Sequence, residues 1–406
     1  MEKIISLFGL LVMILIAYLI SDNKKKINWK LVITGVAMQI VFGLLILKWQ
    51  PGQAAFEVLN DLVTQLLNFT KEGTAFLFGD LLNTESFGFI FALQILPTII
   101  FFSALMAVLY HLGIMEKIIV VLAKVMSKLL GTSGAESLSA AANIFVGQTE
   151  APLVIKPFIK SMTKSELLTV MTGGMATVAG GVMAGYVTMG VEAGHLIAAS
   201  IMSAPASLII SKIMVPEVET PVTKGKVNIK MDELDANVID AAARGTSEGL
   251  KLALNVGAML LSFIAIVALV NALIGWVGTL IGMDFLSLEW ILGRLFSPLA
   301  YVMGVPLGDA VEAGNLLGQK VVINEFFAYA SLGELIKNNA LEPRTITILT
   351  YALCGFANFS SIGIQVGGIG SLAPERRSDI AKLGIRSLIG GSLAAFMTAT
   401  VAGILI

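Results

Sequence analysis

The chain has 406 residues, 56% of them hydrophobic and 14% charged, with a mean hydropathy of +0.86. Soluble domains carry about 25% charged residues, so most of this surface faces lipid. A net charge of −1 leaves no basic field for nucleic acid, and one cysteine, Cys354, excludes an internal disulfide. The two histidines, His111 and His195, are too few and too separated for a zinc site.

In chain order, the first apolar run, Ile4 to Ile20, is followed by Lys24-Lys25-Lys26 and not by a small-residue cleavage site. It reads as a span, not a signal peptide. A helix needs about 20 apolar residues to cross the hydrocarbon core. Runs of that kind lie at 4–20, 31–48, 88–110, 165–189, 194–214, 250–281, 346–371 and 384–406. The fold class is an all-α polytopic membrane protein with eight transmembrane helices. Lys24, Lys25, Lys26 and Lys30 place the first connection in the cytoplasm, which puts both termini outside it. The later cationic loops agree only if 132–160 enters and leaves on the cytoplasmic side.

Between the spans lie stretches of other kinds. In 53–69 the polar residues Glu57, Asn60, Asp61, Thr64, Gln65 and Asn68 share one helical face, which predicts an interfacial helix. The lysines at 117, 124 and 128 do the same for 114–130, and 284–303 is a weaker case. Residues 215–248, with Pro216, Pro221 and mixed charges, read as a cytoplasmic linker.

Two segments are too short to cross. Residues 137–146 make about 15 Å of helix, half a bilayer, before Gly147-Gln148-Thr149-Glu150-Ala151-Pro152 breaks it. Residues 305–333 have the same form, with a half-span ending at Gly318-Gln319 and then Asn324-Glu325. These predict two re-entrant helical hairpins. Each is preceded by an interfacial stretch and followed by a span with a small-polar centre, Thr172 to Thr177 in one and Cys354 to Ser361 in the other. One hairpin enters from each side, so the expected arrangement is an inverted internal repeat. The domains are then 1–130, scaffold and interfacial helices; 131–214, the first transport repeat; 215–248, the linker; 249–303, a scaffold span and outer interfacial helix; and 304–406, the second transport repeat.

A carboxylate at bilayer depth costs several kcal/mol unless it lines a protein-walled cavity. Glu150 and Glu325 are therefore expected to shelter in a midplane pocket, which points to a small-molecule transporter. Freed carbonyls near Val146 and Val178, with oxygens of Asn143 and Thr177, make an all-oxygen pocket suited to sodium. Gln148, Thr149, Glu150, Glu325, Asn358 and Ser361, flanked by Val182 and Phe356, can give and accept many hydrogen bonds beside an aromatic ring. No arginine stands at either hairpin, so a neutral ligand with several hydroxyls and one flat polar ring fits best. Lys320 is the one cation nearby, placed to neutralise an acid. Blander roles exist: small polar residues such as Asn143 and Thr177 also knit membrane helices together, and Phe356 is one of 21 phenylalanines.

Ala-Asn-Ile-Phe-Val-Gly-Gln-Thr-Glu-Ala-Pro-Leu-Val at 142–154 and Gly318-Gln319-Lys320-Val321-Val322-Ile323-Asn324-Glu325-Phe326 resemble the hairpin signatures of the bacterial concentrative nucleoside transporters. Cys354 to Ser361 and Gly370-Ser371-Leu372-Ala373-Pro374 resemble that family's seventh span. The resemblance implies a secondary active symporter of the bacterial inner membrane that imports nucleosides such as uridine. It implies nucleobase contacts from Gln148, Thr149, Glu150 and Val182, ribose contacts from Glu325, Asn358 and Ser361 with Phe356 beside them, and sodium at Asn143, Val146, Thr177 and Val178. It also implies a homotrimer. Thr177 departs from the serine common at that position, and some relatives couple to protons, so the proton-coupled alternative stays open. An ion channel with re-entrant hairpins is the rival of another class. No nucleophile–base pair or metal set supports an enzyme. Purine against pyrimidine preference is open.

Overall fold

The computed structural model describes residues 2–88, 90–225 and 235–406. Lys226 and Lys230 of the expected linker, and Phe89 at the start of the third run, lie outside the described residues. Regular structure among those described is helical, with one antiparallel bridge between Ser133 and Lys224.

The apolar runs become α1 (Glu2–Leu19), α2 (Trp29–Leu47), then the amphipathic α3 (Gln50–Phe78) and α4 (Leu96–His111). Next come α5 (Ile114–Leu130), α6 (Gly134–Ala142), α7 (Lys164–Ala176), α8 (Gly180–Thr188) and α9 (Ala193–Met214). The second half holds α10 (Val238–Leu280), α11 (Leu288–Val302), α12 (Ala310–Val322), α13 (Glu325–Lys337), α14 (Pro343–Leu353), α15 (Phe359–Leu372) and α16 (Arg377–Leu405). Among the described residues, seven helical stretches are long and apolar enough to cross a membrane. The eighth expected run, 346–371, is divided between α14 and α15.

Burial separates an inner group from an outer one. The apolar windows of α7–α8, α9 and α16 are each 89% buried within the chain, against 11% for α10. An apolar helix so little covered by its own chain leaves its surface for partners outside the chain, lipid or protein. The pairing pattern repeats between the halves. α2 packs on α9, α16 and α5, and α1 packs on α16, α9 and α11. α7 packs on α9, α16 and α6, and α14 packs on α16, α9 and α12. Exchanging α1 with α2, α5 with α11, α6 with α12, α7 with α14 and α9 with α16 converts one set of contacts into the other.

Two expectations change. The segment 215–248 is not all linker: α10 starts at Val238, where the Asn237 side chain accepts from the Ile239 and Asp240 amides. Its first turns are charged and carry an Arg244–Glu248 pair at i,i+4 spacing, which stabilises helix in water. The second hairpin does not break at Gly318-Gln319. α12 runs on to Val322, and the chain turns at Ile323-Asn324. Gly318 serves packing: a Cβ there would lie 2.6 Å from Leu292 Cβ, and one at Gly314 would lie 2.4 Å from the Gly293 carbonyl oxygen. Small residues let α11 and α12 approach closely.

The foot of α6 is anchored. Ser133 and Glu136 form a capping box. Lys212 Nζ lies 2.7 Å from Glu136 and 3.2 Å from Glu217, and the Gly134 amide donates to the Thr223 carbonyl at 2.9 Å. The start of the linker thus fixes the direction in which α6 points into the chain.

Candidate functional site

Four interruptions of helix meet in the middle of the chain. The first hairpin breaks over 143–150, between α6 and the tight turns of Ala151–Ile155 and Lys156–Ile159. The first broken span opens over 177–179, the second hairpin turns at 323–324, and the second broken span opens over 354–358. Each frees backbone groups that need partners. The Gly180 amide donates to the Phe145 carbonyl at 3.1 Å, and the Phe356 amide donates to the Thr177 carbonyl at 3.3 Å. Gly355, at φ +130°, makes the second contact possible, because a Cβ there would lie 2.6 Å from the Met175 carbonyl oxygen.

Side chains complete the junction. Gln148 Nε2 donates to Ser361 Oγ at 3.1 Å, joining the first hairpin to α15. Asn358 caps α15 by accepting from the Ser361 amide at 2.9 Å, and its Nδ2 donates to Glu325 Oε2 at 3.0 Å. Glu325 begins α13, and Tyr186 on α8 donates to its other oxygen at 3.1 Å. Gly174 lets α7 come close, since a Cβ there would lie 2.7 Å from Gln148 Cβ and 3.0 Å from Gln365 Nε2.

Of the residues expected to hold substrate, Gln148, Val182, Glu325, Asn358 and Ser361 are buried, and Thr149 and Phe356 are half-buried. Thr149 donates to Glu150 Oε1 at 2.9 Å. The expectation of two sheltered acids holds for Glu325 alone. Glu150 is exposed at the chain's surface, within electrostatic reach of Tyr110. Lys320 makes no direct ion pair: its Nζ donates to the Ala352 carbonyl at 2.8 Å, and among the described residues no carboxylate lies within 4 Å of it, while its charge still reaches Glu325.

Of the residues expected to hold sodium, Asn143 caps the end of α6, and Thr177 and Val178 lie in the opening of the first broken span, all buried. Val146 is half-buried in the hairpin turn. Asn143 Nδ2 donates to the Ser139 carbonyl at 2.9 Å, while its Oδ1 is buried without a partner. Thr177 Oγ1 donates to the Gly173 carbonyl at 2.9 Å, which leaves its lone pairs for a cation. An orphaned acceptor oxygen beside a freed helix end fits a small hard cation.

Tyr186 and Gln365 are site residues that sequence reading missed. Tyr186 lies one turn beyond Val182 on the same face of α8, a spacing that could have drawn attention to it. Gln365 is fully buried on α15, donates to the Met171 carbonyl at 2.8 Å, and stands one turn beyond Ser361.

Residues 8–81 match the family model described as Na+ dependent nucleoside transporter N-terminus, 92–193 the one described as nucleoside recognition, and 195–403 the one described as Na+ dependent nucleoside transporter C-terminus. The chain belongs to the concentrative nucleoside transporter family. It is 44% identical to the Helicobacter pylori nucleoside permease NupC, over 100% of this chain and 98% of that protein. It is 50% identical to a Bacillus subtilis transporter, YutK, over the full length of both. Against the mouse sodium/nucleoside cotransporter 1 it is 40% identical over 100% of its own length and 64% of that protein's. The structure of CNTnw in an inward-facing substrate-bound state superposes with a TM-score of 0.94 at 48% identity, covering 100% of this chain and 98% of the other. A substituted CNTnw in an outward-facing state gives 0.96 at 47% identity, covering 100% and 99%. Members of this family are multi-pass membrane transporters that carry nucleosides by symport, not enzymes.

Proposed function

We propose that this chain is a sodium-driven symporter that imports nucleosides, uridine among them, across the bacterial inner membrane. The observation that carries the reading is the Glu325 carboxylate, buried and held from two sides by Tyr186 and Asn358. Fixed in this way, it keeps lone pairs free for a pair of vicinal hydroxyls, as a ribose presents. Gln148, Thr149 and Glu150, with Val182, form the wall for the base; Asn358 and Ser361 join Glu325 at the ribose, and Phe356 lies beside it. Sodium takes Asn143 Oδ1, Thr177 and the freed carbonyls of Val146 and Val178. It fixes the first hairpin against the opened α7–α8 span and so completes the base wall.

The two hairpins are re-entrant, the halves form an inverted repeat, and both termini lie outside the cytoplasm. The mirrored contact pattern of α1 and α2, α7 and α14, and α9 and α16 supports that arrangement. The inner helices with their hairpins move as a block past a frame that includes α3 and α10, and three copies assemble through the frame. One cation carried through 100 mV supplies about 2.3 kcal/mol and a tenfold gradient about 1.4. Together they allow roughly 500-fold accumulation.

Proton coupling is the second reading, with the buried Glu325 carboxylate as the group that carries the proton. Labelled uridine uptake into proteoliposomes, with a sodium gradient, with a pH gradient and with neither, separates the two. Competition by other nucleosides reports base preference. Unitary currents without saturable uptake would instead indicate a channel.

A further inference from the structure

The two broken spans present their carbonyl ends to one another. α7 ends at Ala176 and α14 at Leu353, and the Phe356–Thr177 and Gly355–Met175 approaches bring those ends together. A helix C-terminus carries about −0.5 charge, so two meeting in a dry interior require positive charge. The ends meet that need differently. At α14, the Thr350 carbonyl accepts from Tyr329 Oη at 2.7 Å, the Tyr351 carbonyl from the Cys354 amide at 3.3 Å, and the Ala352 carbonyl from Lys320 Nζ at 2.8 Å. Lys320 is fully buried, its ammonium lies 5.6 Å from the centre of the Phe396 ring, and among the described residues it has no carboxylate within 4 Å. At α7 the side-chain donors are neutral, Gln365 Nε2 to the Met171 carbonyl at 2.8 Å and Thr177 Oγ1 to the Gly173 carbonyl at 2.9 Å, with no lysine or arginine among the described residues; Asn143 packs beside Gly173, and its buried Oδ1 lacks a partner.

We propose that Lys320 is a tethered cation, the built-in counterpart of the diffusible cation at the first broken span. The hairpin that precedes each broken span supplies the group at its carbonyl end: Asn143 from the first hairpin, which recruits an ion, and Lys320 from the second, which carries its own. The substrate junction then needs one coupling cation from solution, not two. This inference rests on the symport reading above.

The test is coupled uptake in proteoliposomes, using wild type, Lys320→Arg and Lys320→Ser. Wild type and Lys320→Arg should show hyperbolic cation activation and a reversal potential that gives one cation per nucleoside. Lys320→Ser should lose about tenfold of its uptake at low sodium, as a buried carbonyl loses its partner. It should recover at high sodium with a Hill coefficient rising from about 1 toward 2, as a second ion fills the space. Two cations per nucleoside in wild type overturn the proposal, as does a Lys320→Ser variant that keeps hyperbolic activation. Where Lys320→Ser does not purify as an assembled protein, the wild-type ratio decides. Absence of wild-type nucleoside uptake would instead remove the symport reading.

Discussion

Gln148 and Ser361, 213 positions apart, are joined by a hydrogen bond of 3.1 Å that ties the first hairpin to the second broken span. Both side chains are buried, and Gln148 Oε1 has no partner of its own. The bond joins the two segments and leaves one acceptor on the glutamine unpaired. Substituting each by alanine, singly and together, should therefore show coupling. The pair should contribute about 1 kcal/mol in a double-mutant cycle on thermal stability. Gln148→Ala and Ser361→Ala should each also weaken nucleoside binding. Strictly additive stability losses would show that the contact contributes nothing.

Glu325→Gln should weaken binding strongly while the protein assembles normally. Both carboxylate oxygens accept from neutral donors, Tyr186 and Asn358. An amide there turns its NH2 toward one of them, leaving a buried donor unsatisfied at about 1–3 kcal/mol, roughly 10- to 100-fold in affinity. Glu150→Gln should reduce uptake with a smaller effect on thermal stability, because Glu150 is exposed and its side-chain hydrogen bond is to the adjacent Thr149. Equilibrium binding of labelled uridine, beside size-exclusion profiles, reads both. Unchanged binding in Glu325→Gln would take the ribose away from this carboxylate.

Thr177→Val replaces a hydroxyl by a methyl of similar size in the opening of α7–α8. The Gly173 carbonyl loses its donor, and the opening of the first broken span loses one oxygen. Half-saturating sodium should rise by about tenfold, the equivalent of one lost ligand interaction of about 1.4 kcal/mol, with maximal uptake largely preserved at high sodium. Sodium activation curves measure it. An unchanged curve would mean that Thr177 only knits helices together.

The sequence made the helix breaks visible because Gly147-Gln148 and Cys354 to Ser361 set glycine and polar residues inside apolar runs, where freed backbone groups need partners. It was less informative at Gly318, because a glycine that permits helix contact and one that ends a helix look alike in one dimension. Leu292, the residue that explains Gly318, is 26 positions away on another helix. The start of α10 was hidden because its first turns are charged, and charge near a proline-bearing loop resembles linker. Tyr186 was overlooked because an aromatic in an apolar helix is ordinarily packing. Its hydrogen bond to Glu325 spans 139 positions. The exposure of Glu150 and the Lys320–Ala352 bond likewise depend on how separate helices meet.

Asp22, in the connection between α1 and α2, ties that loop to α7 and α16. Its carboxylate bonds Lys164 at the start of α7 at 2.9 Å and pairs with Arg386 on α16. Burial pushes its pKa up, but hydrogen bonds and charge from the two cations outweigh it, so the folded pKa lies below the usual carboxylate value. A carboxylate depressed on folding contributes stability that is fully present above its unfolded pKa and is lost as pH falls through the folded one. The side chain is 31% exposed, so solvent limits the contribution to about 0.5–1 kcal/mol. Asp22→Asn should therefore unfold at lower temperature than wild type near neutral pH. The two curves should converge as pH falls below about 4, where the aspartate takes up its proton. Melting temperatures across that pH range are the measurement. A gap that stays constant down to acid pH would assign the effect to side-chain packing, and the charge pairs with Lys164 and Arg386 would carry no stability.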